Sequence, residues 1–85
     1  MQQFLQDAES VVGADAIGLL HLNDASDIVG SCQDRHAIIG DGTIGQEALS
    51  VAYQHHRALG TPIIIEPPVM SDAALKELYE KVKIW

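Results

Sequence analysis

Two short apolar stretches, AIGLLHL at residues 16–22 and PIII at residues 62–65, decide the fold of this chain. Each is short and almost entirely apolar, which is typical of a strand buried on both faces. An ionisable side chain lies near the end of each, His21 in the first and Glu66 directly after the second. Amphipathic segments surround both stretches. The predicted order is helix, strand, helix, strand, helix, which favours a parallel α/β arrangement.

Three segments have apolar residues at helical spacing. The first covers residues 2–12 and ends at Gly13. In the second, Thr43 and Gln46 match a capping box, so a helix is expected to start there and run to residue 59 before Gly60. In the third, Ser71 is the expected N-cap. Residues 23–42, between the first strand and the second helix, predict a long loop with little regular structure, and such loops are usually functional or disordered.

The composition limits the class of protein. The 85 residues carry 5 Lys plus Arg and 12 Asp plus Glu, for a formal net charge of −7. Such an acidic chain is not expected to hold nucleic acid by bulk phosphate neutralisation. We expect one domain without a secretory signal or a membrane span, in the cytoplasm, where the single Cys32 would remain reduced.

Two strands are too few for an independent parallel sheet. Both edges of a two-stranded parallel sheet stay open, and a chain of this length buries only about 60% of the surface that its unfolded form exposes. The sequence therefore predicts a part of a larger sheet or barrel.

Four residues in this pattern suit metal chemistry. His21 and Glu66 stand at the C-terminal ends of the predicted strands, where α/β barrels carry their catalytic groups. Asp34 and His36 are two positions apart, so an extended backbone would direct both side chains to one side. Imidazole and carboxylate together suit zinc or manganese.

The order and spacing of several motifs resemble endonuclease IV over about residues 14–80. The fifteen positions from His21 to His36, and the forty-five from His21 to Glu66, are as expected in that family. The motifs, in chain order, are His21-Leu22-Asn23-Asp24, Gly30-Ser31, Asp34-Arg35-His36, Ile39-Gly40-x-Gly42-x-Ile44-Gly45 and Ile65-Glu66-x-Pro68.

The resemblance implies a fold and an activity. The family is a TIM barrel that cuts DNA at abasic sites with three zinc ions, so the chain would be a C-terminal fragment with the last two strand-helix units of the barrel, preceded by a helix. By resemblance, His21 and Glu66 would serve one zinc, and Asp34 with His36 another. The remaining ligands would come from the missing N-terminal barrel portion, so the fragment alone is expected to be inactive.

Other interpretations stay open. Gly40-Asp41-Gly42-Thr43-Ile44-Gly45 is a G-x-G-x-x-G motif before a helix, with Glu66 as a possible ribose-binding acid, as in a Rossmann-like dinucleotide site. A metal-dependent TIM-barrel enzyme acting on sugars would use the same strand-end ligands. A non-catalytic module that only associates with a partner is the third possibility. Three residues near the end of the second helix are expected on a solvated face: His55, His56 and Arg57.

Overall fold

The computed structural model describes residues 1–85 as a mixed α/β chain with three helices and four short strands. The helices are α1 (Gln2–Val12), α2 (Gln46–Ala58) and α3 (Asp72–Lys83), and the strands are β1 (Leu20–Leu22), β2 (Asp24–Ala25), β3 (His36–Ala37) and β4 (Ile63–Ile65). The predicted order of three helices and two principal strands is confirmed. No helix is both long enough and apolar enough to cross a membrane.

The strands β1 and β4 pair in parallel, as predicted, with α2 in the connection between them. His21 lies opposite Ile64, and Leu22 lies opposite Ile65. The backbone pairing extends beyond the strands, because Glu66 N–H donates to the Leu22 carbonyl over 3.3 Å. This register places the C-terminal ends of both strands side by side. His21 and Glu66 therefore lie near the same end of the sheet.

The core lies on one face of the β1–β4 pair. Seven buried apolar side chains from the three helices, from β1 and from the loop before α2 form it: Leu5, Leu22, Ile39, Leu49, Ala52, Leu78 and Val82. On the strands, His21 and Ile64 are exposed. The prediction of strands buried on both faces is therefore wrong, because no second layer covers the face that carries these two side chains.

The first strand is shorter than predicted. Residues 14–16 form a 3₁₀ turn, and regular pairing begins only at Leu20, whose N–H donates to the Pro62 carbonyl over 2.9 Å. The strand β4, with three residues, offers no partner to residues 16–19. The start of β1 is therefore set by how many residues of β4 can pair with it. The sequence pattern does not encode that number.

The loop at residues 23–42 contains more structure than predicted. The strands β2 and β3 form an antiparallel ribbon in which Asp24 faces Ala37 and Ala25 faces His36. Ser26 N–H extends the ladder by donating to the Arg35 carbonyl over 2.9 Å. Two-residue strands show no recognisable alternation, which is why the sequence did not reveal the ribbon.

The start of α2 also differs from the prediction. The helix begins at Gln46 after Gly45, not at Thr43, and no side chain caps it in the manner of a capping box. The Thr43 hydroxyl instead donates to the carbonyl oxygens of Ala25 at 3.2 Å and Asp27 at 3.0 Å. Thr43 therefore ties the loop before α2 to the ribbon. The Ser71 cap of α3 is confirmed, since its Oγ accepts a hydrogen bond from Ala74 N–H at 3.2 Å.

Candidate metal centre

The side chains of His21 and Glu66 form the first candidate pair. His21 lies in the middle of β1 and Glu66 follows β4, and parallel pairing places His21 Nε2 in contact with Glu66 Oε2. Both side chains are about half exposed, at 46% and 53%. A nitrogen and a carboxylate oxygen thus meet near the C-terminal end of the sheet, although His21 lies one residue before the end of β1 and not at the strand end where the sequence placed it.

Asp34 and His36 form the second candidate pair. His36 Nε2 lies 3.9 Å from Asp34 Oδ1. Asp34 is 99% exposed, whereas His36 is partly buried by the ribbon. The two side chains therefore lie on the same side of the chain, as expected for residues two apart in an extended backbone.

A hydrogen bond from His36 to Glu66 joins the two pairs. His36 Nδ1 lies 2.7 Å from the Glu66 carbonyl oxygen. A carbonyl can only accept, so Nδ1 carries a proton, and in the neutral imidazole Nε2 is then the nitrogen with the lone pair. Metal-binding histidines in proteins are commonly oriented by such a bond at their other ring nitrogen.

The donor set fits zinc, although each pair is incomplete. Imidazole nitrogen and carboxylate oxygen are both zinc ligands, and the bond to Glu66 leaves His36 Nε2 as the nitrogen that a metal could bind. However, no three His, Cys, Asp or Glu side chains in the chain converge on one point. Zinc sites normally have at least three protein ligands, so neither pair alone completes a zinc site.

An ion pair closes the base of the loop that carries Asp34. Arg35 donates from Nε to one Asp27 oxygen at 2.9 Å and from Nη2 to the other at 2.6 Å. The Arg35 guanidinium holds the pKa of the Asp27 carboxyl below its ordinary value. This two-bond geometry fixes the ends of residues 27–35 against each other.

Asp24 has a structural role that the sequence did not predict. Its side chain is 0% exposed, and its carboxylate accepts five backbone hydrogen bonds, from the N–H groups of Ala25, Gly40, Gly42, Ile44 and Gly45. Burial alone would raise the Asp24 pKa, but the backbone donors outweigh it, so the pKa lies below its ordinary value. The sequence offers no local signal for these contacts, because Asp24 lies 16 positions before Gly40, the first residue of the glycine-rich loop.

The glycine-rich loop binds the protein's own carboxylate. Its amide groups, which a dinucleotide site would direct at a pyrophosphate, donate to Asp24 instead. A Cβ atom on Gly42 would lie 2.5 Å from both Asp24 Oδ1 and the Ala25 carbonyl oxygen. Gly42 is therefore required by the close approach of Asp24, which leaves the G-x-G-x-x-G motif no open cradle for a phosphate.

His55 and His56 do not lie on a solvated face, contrary to the prediction. His56 is 3% exposed, and its Nδ1 lies 3.3 Å from Thr61 Oγ1. Burial lowers the His56 pKa, and the neighbouring His55 lowers it further. His55 Nε2 contacts Glu9 Oε1, which links α2 to α1. His56 continues the buried stripe of Leu49 and Ala52 at helical spacing, and this periodicity could have predicted its burial.

Comparison with known proteins tests the resemblance. A probable endonuclease 4 of Enterococcus faecalis is 38% identical over 68 residues, which are 80% of this chain and 23% of the relative. The corresponding protein of Lysinibacillus sphaericus is 36% identical over 83 residues, 94% of this chain and 28% of the relative. That of Thermosipho africanus is 33% identical over 84 residues, 99% of this chain and 30% of the relative. The resemblance to endonuclease IV is confirmed.

The match is to a part of these relatives. This chain spans 23% to 30% of their length, which is consistent with a C-terminal fragment of an endonuclease IV. No family model matches the chain. The roles of His21, Asp34, His36 and Glu66 as metal ligands stay predictions.

Proposed function

We propose that this chain forms the last two strand-helix units of a TIM barrel with the abasic-site endonuclease activity of the endonuclease IV family. Two of eight units are a quarter of such a barrel, and the chain spans 23% to 30% of its relatives. The right-handed barrel repeat joins parallel strands through a helix, as α2 joins β1 to β4. The uncovered face that carries His21 and Ile64 would then line the barrel interior.

The four candidate residues would hold zinc as two pairs. His21 and Glu66 would contribute to one zinc, and Asp34 and His36 to another, with further ligands from the missing N-terminal barrel portion. The observation that supports this assignment best is the bond from His36 Nδ1 to the Glu66 carbonyl at 2.7 Å. It keeps the His36 Nε2 lone pair available and sets its position relative to the strand that carries Glu66.

The proposed substrate is DNA that contains an abasic site. Clustered zinc ions would activate water and stabilise the oxygens of an in-line phosphodiester displacement, and their charge would offset the repulsion between phosphate and a chain of net charge −7. The chain's own residues would orient this chemistry. The Glu66 carbonyl accepts the hydrogen bond from His36 Nδ1, so this proton is not on the nitrogen that would bind metal. The Asp27–Arg35 pair restrains the loop that carries Asp34.

A segment exchange tests this function. This chain replaces the matching segment in the probable endonuclease 4 of Lysinibacillus sphaericus, and incision of an abasic-site duplex is measured with and without a zinc chelator. We expect zinc-dependent incision by the exchanged protein. The H36A and E66A variants of the exchanged protein should lose at least tenfold in rate, whereas H55A, which changes a histidine outside both pairs, should retain incision.

Two results would contradict the proposal. One is a folded exchanged protein that leaves abasic DNA intact under conditions where the unchanged relative cuts it. The other is a preference for sugar phosphates over abasic DNA, which would support the sugar-enzyme alternative. The 85-residue chain alone should show no incision, because each metal pair lacks at least one ligand.

A further inference from the structure

Asp24 lies between the elements that carry the two candidate metal pairs. It follows β1, which carries His21, after a single intervening residue, and it pairs with Ala37 next to His36 in the ribbon. Its carboxylate binds the backbone from Gly40 to Gly45 just before α2. One buried side chain thus connects the end of β1, the ribbon and the start of α2.

We infer that Asp24 is a positioning residue that fixes the Asp34–His36 pair relative to the His21–Glu66 pair. This inference rests on the proposed function, because it concerns residues assigned there as metal ligands. The mechanical argument is independent of the metal. The β2–β3 ribbon has only two paired residues in each strand, and a ribbon of this length is not stable by itself.

The carboxylate supplies the rigidity that the ribbon lacks. Hydrogen bonds from backbone amides to an ionised carboxylate are about twice as strong as those between neutral groups. Asp24 Oδ2 accepts from Gly40 and Gly42 at 3.0 and 3.1 Å, and Oδ1 accepts from Ile44 at 3.0 Å. Since the loop also bonds to the ribbon through Thr43 N–H and the Ala25 carbonyl at 2.8 Å, fixing the loop fixes the ribbon that carries His36.

Without the carboxylate, the loop amides would lose their shared acceptor and would be hydrated in this partly exposed loop. The ribbon, which bonds to the loop through Thr43 and Ala25, would then lose its anchor. His36 would then lose its bond to the Glu66 carbonyl, and the proton of its ring would distribute between Nδ1 and Nε2. A change at Asp24 should therefore be detectable at His36, a side chain that Asp24 does not touch.

The test follows the His36 ring by ¹⁵N NMR in the full 85-residue chain without metal. The variants are D24A and, as a matched control, D41A, which removes an exposed aspartate from the same loop. In the wild type and in D41A we expect the pattern of a ring protonated at Nδ1. In D24A we expect that pattern to be lost while the far-UV circular dichroism of the helices persists.

Chemical rescue separates positioning from a general loss of fold. Formate carries the same carboxylate group as the removed side chain, so added formate should restore the Nδ1-protonated pattern of His36 in D24A, and chloride at equal ionic strength should not. If D24A unfolds, the His36 pattern is followed without formate in D24N, which keeps the side-chain volume but replaces one acceptor oxygen by an N–H donor. An unchanged His36 in a folded D24A or D24N would overturn the inference.

The outcomes remain distinct from those of the proposed function. Collapse of both variants that formate does not reverse would also overturn the inference, since Asp24 would then support the core in general. Loss of the His36 pattern with formate rescue would support it even if the exchanged protein failed to cut abasic DNA. In the exchanged protein, D24A should lower incision at least tenfold with formate rescue, and D41A should not.

Discussion

The imidazole of His36 is held by the backbone of Glu66: His36 Nδ1 donates to the Glu66 carbonyl oxygen over 2.7 Å. Thirty positions separate the two residues in the chain. The bond connects the ribbon to the end of β4. It thereby links the Asp34–His36 pair to the His21–Glu66 pair. Under the proposed function, this bond would set the distance between the two metal pairs.

Substitution of Gly42 by alanine should destabilise the fold. The new Cβ would lie 2.5 Å from the Ala25 carbonyl oxygen and from Asp24 Oδ1, so the loop or the carboxylate must move. We expect a loss of about 1–3 kcal/mol in the free energy of unfolding, as for overpacking elsewhere. Urea denaturation measures it.

Gly18 provides the matched control for that substitution. A Cβ atom at Gly18 would have no neighbour within 4 Å, and its φ is not positive. G18A should therefore change the free energy of unfolding by less than about 0.5 kcal/mol, as surface substitutions usually do. Equal effects of G42A and G18A would show that the close approach of Asp24 imposes no constraint.

Stability should fall on acidification because His56 is buried. Burial lowers the pKa of folded His56 below its ordinary value near 6.5. The unfolded chain therefore binds more protons than the folded chain as the pH falls below about 6.5, and this difference destabilises the fold. We expect the free energy of unfolding to decrease from pH 7 towards pH 5, with part of the decrease absent in H56Q.

The comparison of variants isolates the His56 contribution. The chain contains three other histidines, so the quantity to measure is the difference in pH dependence between the wild type and H56Q. The same difference for H55Q serves as the reference for a histidine that contacts Glu9 instead of the core. A wild type and an H56Q variant with parallel pH profiles would rule out burial of a neutral His56.

The isolated chain should self-associate through its uncovered strands. The β1–β4 pair has two open edges, and Ile64 is exposed on its uncovered face. Open edges and exposed apolar strands promote association. Sedimentation velocity and thermal melts at several concentrations should show concentration dependence that I64K reduces. V69K, in an exposed loop, should have no such effect, and a concentration-independent monomer would contradict this prediction.

Local patterns in the sequence predicted the helices and the strand order well. The end of α1 at Gly13 and the Ser71 cap of α3 depend on residues close in the chain, and both are observed. The parallel pairing followed from two apolar strands separated by a helix. The helix ends are fixed by interactions that span only a few residues, whereas the β1–β4 pairing joins residues 43 positions apart and followed from the order of the elements.

The predictions that failed concern contacts between residues far apart in the sequence. Thr43 resembles a cap, but its hydroxyl bonds to Ala25 and Asp27, sixteen or more positions away. The Asp24 carboxylate accepts from amides up to 21 positions later. No local pattern encodes either contact. The four candidate ligands were identified from strand ends, spacing and family resemblance, but the His36–Glu66 bond that joins them required the folded chain.

The response of the histidine rings to zinc shows whether this end of the sheet binds metal. In a ¹⁵N-labelled chain titrated with zinc, we expect shifts at Nε2 of His21 and His36 at high zinc concentration only, because each pair supplies two ligands, and none at the buried His56, which serves as the internal control. The D34A variant should weaken the His36 response and leave that of His21 in place, and E66A should weaken that of His21. Equal shifts at all four rings, or none at His36, would contradict the assignment of this edge as part of a metal centre.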